Sequence, residues 1–135
     1  ISAGSRPNPG GYAANEEKAE DCSQFQLGDH RPLDEVVRDI AELGYMPSFC
    51  TACYRLGRTG GDFMDLAKPG DIKLHCAPND VATFLEYLLD YASERTREAG
   101  ESLIESEMSR MEGKQRNVTQ RLVGAVREGR RDVFT

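Results

Sequence analysis

At 135 residues, with 39% hydrophobic residues, 30% charged residues and no Trp, the chain is long enough for one modest core, so one domain or a piece of one is expected. Its net charge is −6 at neutral pH, and basic residues are enriched only between positions 110 and 131, without interleaved aromatics; this argues against nucleic-acid binding. No charged segment leads into an apolar one, and no apolar run approaches the roughly 18 to 20 residues that span a bilayer, so neither a secretion signal nor a membrane partner is expected.

In chain order, Ile1-Ser2-Ala3-Gly4 reads as a short buried strand entering a glycine-rich turn. A lone strand needs a sheet, so the chain is expected to be the C-terminal portion of something whose other strands lie elsewhere. Pro7, Pro9, Gly10 and Gly11 open a polar linker that reaches about Gly28. Leu33, Val36, Val37, Ile40 and Leu43 then recur at helical spacing, with Gly44 as the stop, and predict an amphipathic helix over 33–43. Residues 45–49 are expected to be extended and to deliver the chain to Cys50. A short helix is predicted over 62–67, stopped by Pro69-Gly70. Asn79 reads as the N-cap of a helix over 80–92, with Val81, Phe84, Leu85, Leu88, Leu89 and Ala92 on one face. Helix continues over 94–111 with an interruption near Gly100, and a last helix covers 115–127 through Val118, Leu122, Val123 and Val126. The faces of the helices at 33–43 and 80–92 are expected to form the core. The fold class is therefore mostly α.

The four cysteines are the chemistry-bearing residues. Cys50, Cys53 and Cys76 form C-x2-C-x22-C, three soft thiolates where four would close a tetrahedral site. In an acidic chain without a leader, that spacing points to metal or redox use in a reducing compartment rather than to disulfides. Thiolates suit both zinc and iron-sulfur clusters, and spacing alone leaves the two open. His75 could complete a zinc set of three thiolates and one imidazole. Against it, neighbours in an extended segment point to opposite sides, so His75 and Cys76 would share one ion only across a tight turn. Gly57, Gly60, Gly61 and Gly70 allow backbone amides to approach an anionic cluster. Tyr54, Arg55 and Arg58 are candidates to surround it, although the arginines could equally pair with Asp62 or Asp65. Cys22 lies outside the motif and reads as an incidental thiol; His30 reads as a surface or capping residue.

The strings Thr51-Ala52-Cys53-Tyr54-Arg55 and Gly57-Arg58-Thr59-Gly60, together with this cysteine spacing, resemble the C-terminal region of the FeFe-hydrogenase maturase that is a radical SAM tyrosine lyase. The resemblance runs from Ser2-Ala3-Gly4-Ser5-Arg6 to Gly129-Arg130-Arg131-Asp132-Val133-Phe134. It implies three parts: residues 1–12 as the end of a radical SAM (β/α) barrel, 13–32 as a linker, and 33–135 as a helical auxiliary-cluster domain with a long cluster-binding loop. By the same resemblance, Cys50, Cys53 and Cys76 hold an auxiliary 4Fe-4S cluster with one open iron, which takes an L-cysteine that bridges to an additional iron. Ser5 and Arg6, at the C-terminal end of a barrel strand, are the candidate clamp for the tyrosine carboxylate; Pro7 replaces the Thr common after this Arg.

For the intact enzyme the resemblance implies a second 4Fe-4S cluster and S-adenosyl-L-methionine. Tyrosine is cleaved to p-cresol, carbon monoxide and cyanide, and an iron-carbonyl-cyanide precursor of the hydrogenase active site is assembled with other maturation factors. A cytoplasmic location, or the plastid stroma in an alga, follows. No C-x3-C-x2-C motif occurs, so this stretch alone is expected to cleave neither S-adenosylmethionine nor tyrosine. The related tyrosine lyase of thiamine synthesis shares the strand and turn but lacks the cysteine triplet. The alternative is a non-catalytic, zinc-stabilised helical binding module.

Overall fold

The structure is a computed structural model that describes residues 31–135. The strand and turn at 1–12, Ser5, Arg6, Cys22, His30 and nearly all of the linker lie outside the described residues. From Leu33 onward the elements are α1 (Leu33–Glu42), α2 (Ala52–Arg55), α3 (Gly60–Ala67), α4 (Lys73–Asp90), α5 (Glu94–Arg110) and α6 (Gly113–Arg127). The domain is helical, as the periodicity predicts.

Helix α1 ends as its sequence dictates. Gly44 takes a left-handed backbone (φ 82°), its N–H donates to the Ala41 carbonyl and that of Tyr45 to the Ile40 carbonyl, the paired closure that glycine makes cheap at a helix end. Val36, Val37 and Ala41 face inward, whereas Leu33 and Leu43, counted in the predicted apolar face, are exposed.

The core lies on α4, which packs against both α5 and α6, while α1 packs on α5. Phe84, Leu85 and Leu88 of α4 are fully buried among Ile104 of α5, Val126 of α6 and their neighbours. This enlarges the predicted two-helix core, because α5 adds Leu103 and Ile104 and α6 adds Leu122, Val123 and Val126.

Two expectations are corrected. Helix α4 starts at Lys73 rather than at residue 80, and Pro78 lies inside it. Proline has no N–H to give the carbonyl four residues back, so the helix runs through at the loss of one bond. Asn79 is thus no N-cap but a buried helical residue, 2% exposed. Helix α5 is uninterrupted at Gly100. That glycine is buried against α4, where an added Cβ would stand 2.6 Å from both Leu88 methyls, so its role is close approach between helices.

The junction of α1 and α5 is polar. Ser93 caps α5 by accepting from the Thr96 N–H, and Asp34 of α1 accepts from the Ser93 N–H, the Ser93 hydroxyl (2.6 Å) and the Thr96 hydroxyl (2.8 Å). Burial pushes the Asp34 carboxyl upward, but these bonds, helped by Arg38, outweigh it and hold the group below the usual carboxylate range.

Candidate metal centre

The three motif cysteines sit on two segments. Cys50 and Cys53 belong to the approach to α2 and to α2 itself, and Cys76 to the first turns of α4; all three are free thiols and half-buried. Chain folding brings them together. Burial pushes the Cys76 thiol up, Asp80 adds to this, and Cys53 and Cys50 lie close enough to raise it further, while Arg58 lowers it. The early start of α4 also places His75 and Cys76 on successive helical positions, not on an extended segment as anticipated. The His75 ring meets the Thr135 hydroxyl through Nδ1 at 3.1 Å. Burial, reinforced by Arg58 and Lys114, holds the imidazole below its usual range.

Arg58 reaches the neighbourhood of Cys76 because of one turn. Gly57, with φ 69°, closes α2: its N–H donates to the Tyr54 carbonyl and the Arg58 N–H to the Cys53 carbonyl at 2.8 Å. A left-handed residue is needed there, which glycine adopts without strain. The chain therefore doubles back, and the Arg58 side chain comes within electrostatic reach of Cys76 and His75. Its Nη1 is buried with no hydrogen-bond partner, an arrangement that is costly unless an anion meets it.

The other predicted neighbours are placed differently. Tyr54 is 84% exposed. Arg55 pairs with neither Asp62 nor Asp65 but with Asp132 at 2.7 Å, and its guanidinium lies 5.0 Å from the centre of the Phe134 ring. Sequence reasoning missed Ser48, Asp80 and residues 131–135. The Ser48 hydroxyl donates to Asp80 at 2.5 Å, tying the approach to Cys50 to the turn of α4 after Cys76. Burial raises the Asp80 carboxyl, and the Ser48 bond opposes that. Contacts between residues so distant in sequence leave no local signal. On the far side, Cys50 borders an open groove of about 350 Å³ lined also by Phe49, Tyr87, Tyr91 and the Asp90 and Arg131 pair.

Among the described residues no group of three or more His, Cys, Asp and Glu side chains is placed to hold a metal ion. A single zinc demands sulfurs gathered at about 2.3 Å from one centre. The thiolates of a cluster bind separate irons and stand further apart. Three free thiols, with the buried and unpartnered Arg58 Nη1 within electrostatic reach of Cys76, have the donor chemistry of an anionic thiolate-bound cluster.

The described residues thus form a helical domain that carries Cys50, Cys53 and Cys76 at one end of its central helix and on the segment beside it. Across 98% of the chain, the sequence is 40% identical to HydG, a maturase of the FeFe-hydrogenase, whose crystal structure superposes with a TM-score of 0.84. The chain is HydG-like over nearly its whole length and spans 28% of the length of that HydG chain. No family model and no curated protein matches the sequence. Among the described residues no helix is long and apolar enough to cross a membrane.

Proposed function

We propose that this chain is the auxiliary-cluster portion of a radical SAM tyrosine lyase that serves FeFe-hydrogenase maturation. In this reading Cys50, Cys53 and Cys76 hold a 4Fe-4S cluster through three thiolates and leave one iron free for an exogenous ligand such as L-cysteine. The buried Arg58 Nη1 without a partner carries the reading: it needs an anion, and it lies where three thiolates and the cluster sulfides would supply one. When bound, the cluster supplies an open coordination position at which an additional iron can be assembled with small diatomic ligands.

The chain's own residues have narrower tasks. The three thiols give up their protons to become ligands, and the upward push on Cys76 in the metal-free protein makes loading pH-dependent. Arg58 offsets the resulting negative charge. Leu56, Phe63 and Met64, exposed within the segment between Cys53 and Cys76, offer apolar surface to a covering domain, consistent with a radical SAM barrel as the partner. Tyrosine, S-adenosyl-L-methionine and the second cluster belong to that barrel, with Ser5 and Arg6 proposed for the tyrosine carboxylate. A cytoplasmic or stromal location accompanies this reading.

The test is anaerobic quantitation of iron and sulfide with electron paramagnetic resonance (EPR) of the reduced protein, before and after L-cysteine. A signal that responds to L-cysteine and disappears when Cys50, Cys53 or Cys76 is changed to Ala is expected. A protein that holds one zinc on these cysteines would replace this reading with that of a zinc-stabilised binding module.

A further inference from the structure

The C-x2-C segment has little packing of its own to hold it. Neither α2 nor α3 joins the extensive helix pairings, and within α2 only Ala52 is buried. Yet its thiols must keep register with Cys76, which rides on the most deeply packed helix. Upstream of Cys50 two ties exist, the Ser48 bond to Asp80 and the stack of Phe49 on Tyr87 with centroids 4.7 Å apart. Downstream of Cys53 the tie is Arg55, and its partners are Asp132 and Phe134.

Those partners belong to a segment that is itself fastened along α4. Arg131 grips Asp90 with two bonds of 2.6 Å. The Val133 N–H donates to Glu86 at 3.4 Å, and the Val133 side chain is buried. Thr135 meets Asn79 through backbone N–H and carbonyl, and His75 through its hydroxyl. Residues 131–135 thus run back along α4 from its C-terminal end towards Cys76, a span that extended chain can cover. Asp132 holds a left-handed backbone at φ 56°, which Asp tolerates better than most side chains.

We propose that residues 131–135 are a strap that positions the Cys50 and Cys53 segment against Cys76, fixing the thiol spacing before any iron arrives. The proposal rests on the reading of these cysteines as cluster ligands. Arg55, Asp132, Phe134 and Asn79 act as positioning residues, each through the backbone that carries a thiol. The geometry supports this because one five-residue segment contacts the residue two positions after Cys53 and the residues one before and three after Cys76.

The experiment uses the intact protein as wild type, as the double variant Asp132→Ala with Phe134→Ala, and as Phe134→Tyr, which keeps the aromatic face. In the metal-free protein, hydrogen exchange of amides 50–57 is expected to accelerate in the double variant and to stay at the wild-type rate in Phe134→Tyr, with helix melting unchanged. After reconstitution, chelator-driven loss of the EPR signal that requires Cys76 is expected to be about tenfold faster in the double variant, the scale of losing an exposed ion pair and a cation-π contact. Unchanged exchange at 50–57 overturns the strap, and so does accelerated exchange with an unchanged rate of cluster loss. Iron retained in the Cys76→Ala variant sinks the cluster reading instead, and the exchange rates still decide whether the strap restrains the segment.

Discussion

Asn79 Oδ1 accepts the Thr135 N–H at 2.8 Å while Asn79 Nδ2 donates to the Thr135 carbonyl at 3.2 Å, so one buried side chain on α4 satisfies both backbone groups of a residue 56 positions away. Replacing Asn79 by Ala removes the partner of both part-buried groups. A loss of about 2 kcal/mol in unfolding free energy is expected, read by urea denaturation. Asn79→Asp keeps only the acceptor and should recover part of it.

Gly100→Ala should destabilise the domain although alanine is the better helix former. The gain in helix propensity is about 1 kcal/mol, whereas the new methyl meets Leu88 Cδ1 and Cδ2 at 2.6 Å and Phe84 Cζ at 3.0 Å, in a core where overpacking costs about 1–3 kcal/mol. A net loss of roughly 1 kcal/mol follows. Adding Leu88→Ala creates room, and a double-mutant cycle should show a favourable coupling between the two changes.

The α1 to α5 junction makes stability pH-dependent through Asp34. Its carboxyl is held below the ordinary value of 3.8 in the folded chain, so its contribution is fully present above that value and is lost as pH falls through the lower folded value. Thermal melts between pH 6 and pH 2 should show wild type more stable than Asp34→Asn near neutrality by about 1 kcal/mol, discounted for partial exposure. The gap should narrow as the solution becomes more acid.

Arg58→Met separates folding from the proposed cluster binding. In the metal-free protein it removes a buried donor that has no partner, so the melting temperature should stay level or rise. Cluster retention should fall, because the counter-charge goes with it. Without Arg58 the Cys76 thiol also loses the group that lowers its pKa, so alkylation of Cys76 near pH 8 should slow in the variant.

Much of the helical plan was legible in the residues. Gly44 stops α1 and Pro69-Gly70 follows α3 because both act locally, and the α6 pattern of Leu122, Val123 and Val126 matches its buried face. The misreadings were of local signals overruled by distant partners. Asn79 looks like a cap until Thr135 is found against it, and Gly100 looks like a break until Leu88 is found above it. Within the site, the three cysteines stand out by spacing, and Arg58 by its place after Gly57. The attachments of Arg55, Ser48 and Asp80 depend on chain returns that no neighbouring residue announces.

Because α2 and α3 stand outside the main helix packing while each cysteine-bearing segment is pinned at its own end, the 22 residues between Cys53 and Cys76 are not a ruler. The excursion over residues 61–70 leaves from one anchored point and returns to another, so its length can drift without moving the thiols. A relative with a longer or shorter interval, but with counterparts of Gly57-Arg58 at one end and of Asn79 at the other, would present its thiols in the same arrangement. Anyone seeking such relatives should match the anchors and leave the count between them free.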